Sequence, residues 1–576
     1  MIEQALLLIG FSPSPQDRHM SRLLSVMGLS SRTVSSADLT ATTAGESSER
    51  PQYRLFCSAE ILAEMLSSLN GSDEFASFWR KHVHSVFAWV GPRREKSDQV
   101  LRLLTGDANA VALGNESSRV TWRVTDGASI CGPLRGLSVT SPSVAADNNF
   151  VYSGKDGVTE IITSHSHPAF IRADRHDVPV FFCANPEIIE VDAVIPDGNF
   201  DVRNHFLSAV PAVAYLKWAF PATCWSTPEI NACLVIDDPV LKPDYGLLNF
   251  EQLLAAMRSH NFSTSIAFIP WNWRRNAAKV VRLFKDNPSR YSLSIHGCDH
   301  TGSEFGIRRT DSLTWKAKQA LQRMGRLESL AGIPFDRVMV FPQGKFSDAA
   351  MGVLKRVNYT AAVNTEIVGV PVSQPIKVLD AWDVAVMNYA AFPIFTRRYP
   401  MQGVENFAFD ILLGKPCIVV IHHQDCRNHL RDLTEFIDKL NSQVPGLSWG
   451  SLGNAVRRTY RERQTSDDTI EIEVYGLDVE LRNHFEEPKR FKIRKREISP
   501  DAIQRVSING KEVSWTADDG QIRFEATVDP GETITIAVRF HTSLEGEQST
   551  DSVRYRLKTT LRRYLSEVRD NYVQTR

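Results

Sequence analysis

The 576-residue chain is short of several things, and each shortage excludes a class. Charge of one sign is missing: 66 Lys and Arg stand against 67 Asp and Glu, a net charge of -1. That removes the basic footprint of a nucleic-acid binder, and no polynucleotide partner is expected. Eight cysteines, at 57, 131, 183, 224, 233, 298, 417 and 426, form no CxxC pair and no tight framework spacing. A disulfide-built secreted domain is therefore disfavoured. Nowhere do eighteen uncharged apolar residues run together, so no spanning helix is expected. The N-terminus has neither a positive n-region nor a small-residue cleavage site, and Ala5 to Phe11 reads as a buried strand. The expected compartment is the cytoplasm. What is present, 43% hydrophobic and 23% charged residues, is an ordinary globular composition. At roughly 150 residues per domain the chain has material for about four.

Texture divides the chain. Residues 1–225 read as an α/β, Rossmann-like region of one or two subdomains, with apolar runs at 4–11, 85–90, 160–163, 178–183 and 187–195. A long apolar helix is expected from about Arg203 to Phe220, and the Ser/Thr/Ala-rich stretch Ser35 to Gln52 reads as a loop or lid. Residues 226–464 alternate short apolar strands (231–236, 263–269, 291–295, 337–341, 361–364, 416–421) with helical patterns (249–260, 273–285, 313–330, 347–357, 427–441). Such alternation implies parallel strands with crossover helices, in a barrel or a doubly wound sheet. Asn249 and Gln252 open the first helix as a capping box. Residues 465–541 switch to period two, with Asn509-Gly510 as a type I′ hairpin turn, and read as a small β-sandwich. In 542–576, Val553, Leu557, Leu561, Leu565 and Val568 share one helical stripe among several arginines, an amphipathic basic helix.

Polar groups gather where the apolar strands of 226–464 stop. Leu234-Val235-Ile236 runs into Asp237-Asp238-Pro239, and Ser292 to Ile295 runs into His296-Gly297-Cys298-Asp299-His300. Val338 to Phe341 runs into Pro342-Gln343-Gly344, and Ile418 to Ile421 into His422-His423. Parallel strands would bring all four clusters to one carboxyl edge, where α/β enzymes place their sites. His296 and His300, four apart, together with a carboxylate from Asp237 or Asp238, make three ligands and an open position, the pattern of catalytic zinc. The second carboxylate is then free as a general base, and His422 as an acid.

These segments carry a resemblance. Residues 230 to 463 resemble the polysaccharide deacetylases, the nodulation-protein-B homology domain of carbohydrate esterase family four, as a divergent member. The family's Asp-Asp motif is met by Val235-Ile236-Asp237-Asp238-Pro239, its His-x-x-x-His motif by His296 to His300, and its strand ending in histidine by Val419-Val420-Ile421-His422. The resemblance implies a distorted (β/α) barrel of fewer than eight strands and removal of N-acetyl groups from an amino-sugar glycan, or its precursor, in surface polysaccharide biosynthesis. It makes Asp237 the base, Asp238, His296 and His300 the ligands of a divalent metal, zinc first, and His422 the acid. The third motif, Arg-Pro-Pro-Tyr-Gly, is met only by Pro342 and Gly344, so the arginine that steadies the base is missing there. The backbone N–H of Gln343 takes the oxyanion role of the absent tyrosine, and Trp382-Asp383 faintly resembles the fourth motif. The alternative is a glycan-binding or scaffolding protein that keeps the fold without turnover.

Other polar and aromatic residues have a plainer role beside a functional one. Trp271 and Trp273 suit sugar stacking as well as packing. Asp299 orients a ligand imidazole or caps a turn. His423, pointing opposite to His422 on a strand, packs or binds backbone. Cys57 and Cys131 read as buried thiols rather than nucleophiles. The tail helix packs on the body or on a second subunit in preference to a membrane surface.

Overall fold

The computed structural model describes residues 3–10, 12–35, 39, 52–69, 73–114, 118–142, 148–153, 157–164, 167–195, 198–465, 469–541 and 553–573. The chain divides into two units, one of residues 1–193, 201–226 and 463–468, the other of 194–200, 227–462 and 469–576.

The first unit is built on a nine-stranded sheet. Strands Ser31–Ser35, Glu3–Ile9, Gln52–Ser58, Val83–Trp89 and Val178–Cys183 lie side by side and parallel, the Rossmann-like half expected from their apolar runs. The sheet then continues antiparallel through His167–Arg175, Val158–Ser164, Arg119–Val124 and Ser138–Pro142. Helix Pro15–Val26 starts where Ser14 and Asp17 close a reciprocal capping box ahead of a proline at the first turn. The apolar helix is Phe206–Ala219, buried on nearly every side, which explains its lack of a polar stripe. The apolar run 187–195 forms no strand, contrary to its texture: its side chains pack as irregular chain. The proposed lid at 35–52 lies, but for its ends and Leu39, outside the described residues.

The second unit holds the barrel. Strands Asn231–Asp237, Thr264–Phe268, Tyr291–His296, Val338–Val340, Ala361–Asn364 and Ile394–Thr396 follow one another in chain order and are parallel throughout. Cys417–His422 pairs with the first strand, again parallel. Beyond Thr396 the chain bridges to Val419, with Arg398 N–H donating to Ile418 O and Val420 N–H donating to Arg398 O, both near 3 Å. Seven strands thus close a (β/α) barrel. Buried on both faces, the strands read as near-continuous apolar runs, and Cys233, Val235, Val340, Val363, Phe395 and Ile418 share its core. Helices Phe250–Ser259, Ala278–Asp286, Thr310–Ala331, Asp348–Arg356 and Arg431–Gln443 fall where periodicity put them. Asn249 caps the first through a 2.9 Å bond from Gln252 N–H. Strand Ile394–Thr396 and helix Val404–Leu412 were not expected.

The same unit carries two further sets of strands. One has Ile470–Glu473, Lys489–Arg496, Gln521–Val528 and Thr516–Asp518 in order. The other has Asp478–Arg482, Thr533–Phe540, Ile503–Ile508 and Lys511–Glu512. Asn509 (φ 49°) and Gly510 (φ 77°) make the left-handed pair that a type I′ hairpin requires. Helix Val553–Val568, prolonged by a π turn through Val573, ends the described chain.

Candidate metal centre and active site

The four polar clusters do meet at the carboxyl edge of the barrel. Asp237 is the last residue of its strand, and the parallel register sets it beside His422. Asp238 turns into the left-handed region at φ 80°, leaving the strand alternation. Its Oδ1 comes to 3.3 Å from His296 Nε2 and 3.1 Å from His300 Nε2. The donor atoms of these three residues lie within 4.8 Å of one another.

Two features fit this cluster to a cation. The Nδ1 of His296 lies 3.0 Å from Val340 O and donates to it, which fixes the tautomer and leaves the Nε2 lone pair facing Asp238. Asp238 Oδ1, although buried, accepts no hydrogen bond of regular geometry. A carboxylate oxygen turned toward two imidazole nitrogens and otherwise unsatisfied is the donor set of a three-ligand divalent site. Burial would raise the Asp238 carboxyl, but the neighbouring His300 and His296 rings hold it well below the usual carboxylate range. Burial would lower His296, and the charges of Asp237 and Asp238 overcome that and raise it.

The loop from His296 to His300 is wrapped around a carboxylate that belongs to none of the motifs read above. Glu304, buried, accepts from the N–H groups of Cys298 (2.8 Å), Asp299 (3.2 Å) and His300 (3.0 Å), and from Lys316 Nζ (3.0 Å). Gly297 (φ 65°) opens the loop, and a Cβ there would come within 2.2 Å of Glu304 Oε1. Asp299 neither orients an imidazole nor caps a turn: its carboxylate takes Arg323, Lys316 at 3.3 Å and the Tyr555 hydroxyl at 2.6 Å.

The missing arginine is supplied from elsewhere. Arg397, directly after the short strand Ile394–Thr396, grips Asp237 with two parallel bonds of 2.7 Å, Nη1 to Oδ1 and Nη2 to Oδ2. Both side chains are almost fully buried, 3% and 4% exposed. Burial would push the Asp237 carboxyl up, but the Arg397 charge, then that of His296, outweighs it and keeps the group below its ordinary value. Asp383 of the faint fourth motif serves a different cluster, with the Tyr475 hydroxyl at 2.6 Å and Arg461 at 3.3 Å.

His422 is half-buried, donates its backbone N–H to Asp425 at 2.8 Å, and stacks on Tyr399 with ring centroids 5.9 Å apart. A cleft of about 350 Å³, lined by Tyr399, Met401, Gln424, Asp425 and Arg427, opens beside it. His423 turns edge-on to Tyr245 instead. Gln343 is exposed, in a left-handed turn (φ 58°) following the strand whose carbonyl holds His296. Trp271 and Trp273 stand at the same edge, but guanidinium groups already sit over their rings: Arg323 at 4.8 Å from Trp271, Arg274 at 4.4 Å from Trp273. In the first unit, burial and the charges of Asp17 and Glu60 push the Cys57 thiol up, and burial pushes Cys131 up to about 12. Both are protonated at neutral pH, unlike an activated nucleophile.

No family model matches the chain, and no curated protein does. Solved structures do. A family 4 carbohydrate esterase from Streptomyces lividans, in complex with acetate, is 13% identical over 39% of this chain and 93% of its own, TM-score 0.24. A peptidoglycan deacetylase from Bacillus subtilis is 13% identical over 40% and 90%, TM-score 0.24. A family 4 acetyl xylan esterase from Clostridium thermocellum, holding a cobalt ion, is 12% identical over 39% and 89%, TM-score 0.25. These neighbours are carbohydrate esterases and deacetylases. The barrel assignment itself rests on the strand order and closure described above.

Proposed function

We propose that the barrel is a metal-dependent deacetylase that removes N-acetyl groups from an amino-sugar-containing glycan or glycan precursor. The observation that carries this reading is the juxtaposition at one edge of two carboxylates with opposite duties. Asp238 Oδ1 faces two imidazoles and accepts no hydrogen bond of regular geometry, while Asp237, its neighbour in sequence, is held by an arginine and feels the charge of the same His296.

A divalent cation at Asp238, His296 and His300 would supply Lewis acidity at the acetyl carbonyl and a water of lowered pKa. Asp237 accepts the proton of the attacking water; the Arg397 pair fixes its orientation and keeps it ionised, hence ready to accept. The Gln343 N–H, at the turn beyond Val340, is the donor assigned to the developing oxyanion. His422, one strand over in register with Asp237, returns a proton to the departing amine nitrogen. The cleft beside Tyr399 holds the sugar on the leaving-group side. Carbonyl carbon to nitrogen is the bond broken, and acetate and a free amine are the products.

The glycan-binding or scaffolding alternative leaned on the absent third-motif arginine. Arg397 removes that support. The test is acetate release from N-acetylglucosamine oligomers by protein loaded with zinc, beside Asp237→Asn. Acetate from the parent and none from the variant is expected. Reducing ends without acetate would mean a glycosidic hydrolase, and bound oligomer with neither product a binding protein.

A further inference from the structure

The C-terminal helix packs on the body of its own unit, and it does so through one of two opposite faces. Its inward face is polar. Tyr555 donates to Asp299 at 2.6 Å, and Arg563 is buried with Nη2 3.5 Å from His300 Nδ1. Glu567 takes both Lys242 and Arg275. Asp570 accepts from the Tyr245 hydroxyl at 2.9 Å, and Asn571 Oδ1 from Gly246 N–H at 2.7 Å. These partners all sit on the loops that carry or adjoin Asp238 and His300, so the helix lies directly beside the metal ligands.

The apolar stripe is not the face that packs: it is exposed. Val553, Leu557, Leu561, Tyr564, Leu565 and Val568 are 51–74% exposed. They are six of the fourteen large hydrophobic side chains exposed among the described residues, gathered on one helix face by 3.6-residue periodicity. A patch of this kind marks an interaction site.

Charge selects the occupant. The helix carries Arg554, Arg556, Lys558, Arg562, Arg563 and Arg569 against two acids, Glu567 and Asp570. Both acids are committed to the inward face or to Arg569. Arg554, Lys558, Arg562 and Arg569 lie along one flank of the apolar stripe, and the acid nearest its other flank, Glu567, is taken by Lys242 and Arg275. A second copy brought face to face through this stripe would oppose arginine to arginine. An anionic bilayer matches both parts: acyl chains take the leucines and headgroups the arginines.

We propose that helix 553–573 docks on an anionic lipid surface and thereby holds the metal centre within about one helix diameter, some 10–12 Å, of the headgroups. Taken with the deacetylase reading, on which this last step rests, the substrate is a lipid-linked amino-sugar glycan presented at that surface. Docking itself is independent of the chemistry.

The test is flotation of the full chain with phosphatidylcholine vesicles and with vesicles containing one third phosphatidylglycerol, beside Leu557→Ser/Leu561→Ser/Leu565→Ser and Arg554→Glu/Lys558→Glu. The altered side chains are solvent-exposed, so the fold is expected to persist, and an unchanged circular dichroism melt checks it. Binding to the anionic vesicles alone, weakened at least about tenfold by either variant, is the expected result. No flotation of the parent, or equal flotation of parent and variants, overturns the proposal. So does a parent dimer that the leucine variant converts to a monomer without any vesicle binding, which would make the stripe a self-association face. Flotation without acetate release would retain docking and discard the deacetylase chemistry.

Discussion

Replacing Arg397 by alanine strands a buried carboxylate. Asp237 is 4% exposed on its side chain and takes two charge-assisted bonds of 2.7 Å from this one guanidinium. Removing one partner of a buried ion pair costs about 3–5 kcal/mol, because the survivor keeps its desolvation penalty without its compensation. At about 2–4 °C per kcal/mol for a large domain, the melting transition of the barrel unit falls by roughly 6–20 °C. The Asp237→Asn/Arg397→Met double variant removes both charges and should recover part of that loss, since a neutral pair of similar volume carries no stranded charge. Differential scanning calorimetry of the parent, Asp237→Asn, Arg397→Met and the double variant closes the cycle, with Arg397→Ala measured beside it. Refutation would be Arg397→Ala melting within a degree or two of the parent, or a double variant no more stable than the worse single one. Either outcome would mean that the bidentate pair does not hold the base.

Three further expectations follow from separate parts of the molecule. Glu304→Ala frees the N–H groups of Cys298, Asp299 and His300, so metal affinity, read by chelator competition, should fall about 10- to 100-fold, as for other supporting residues behind a metal ligand. Lys495 is buried, and desolvation, partly offset by Glu497, brings its ammonium down to about 8, below the roughly 10.4 of an unfolded chain. A depressed lysine means that the unfolded state binds more protons between those values, so stability rises with pH there. Lys495→Met should therefore raise the melting midpoint at pH 7, with the advantage shrinking from pH 8 to 10; an advantage that does not change with pH would contradict this. All eight cysteines are buried, so a thiol reagent should label none in the native protein and eight after denaturation; prompt labelling of Cys57 or Cys131 would reopen the nucleophile reading.

The barrel strands were legible because each is an apolar run ended by a polar cluster, a texture that buried parallel strands impose. Asp237, Asp238, His296, His300 and His422 were legible for the same reason: they sit where those runs stop. Ile394–Thr396 was not, being three residues between Pro393 and Pro400, too short for any periodicity. With it was lost Arg397, which meets Asp237 across 160 residues and belongs to no local motif. Glu304 was hidden likewise, since its partners are backbone N–H groups, which carry no residue signature. In the tail, the pattern gave the helix but not its orientation: apolar periodicity says which side chains share a face and leaves open whether that face is covered.

Elemental metal analysis tests the central claim most directly. Protein purified without chelator is compared with the Asp238→Ala/His300→Ala double variant. A three-ligand site predicts about one divalent ion per chain in the parent and none in the variant. No metal in the parent, or the same content in both, would contradict the assignment of Asp238, His296 and His300, and with it the deacetylase chemistry built on them.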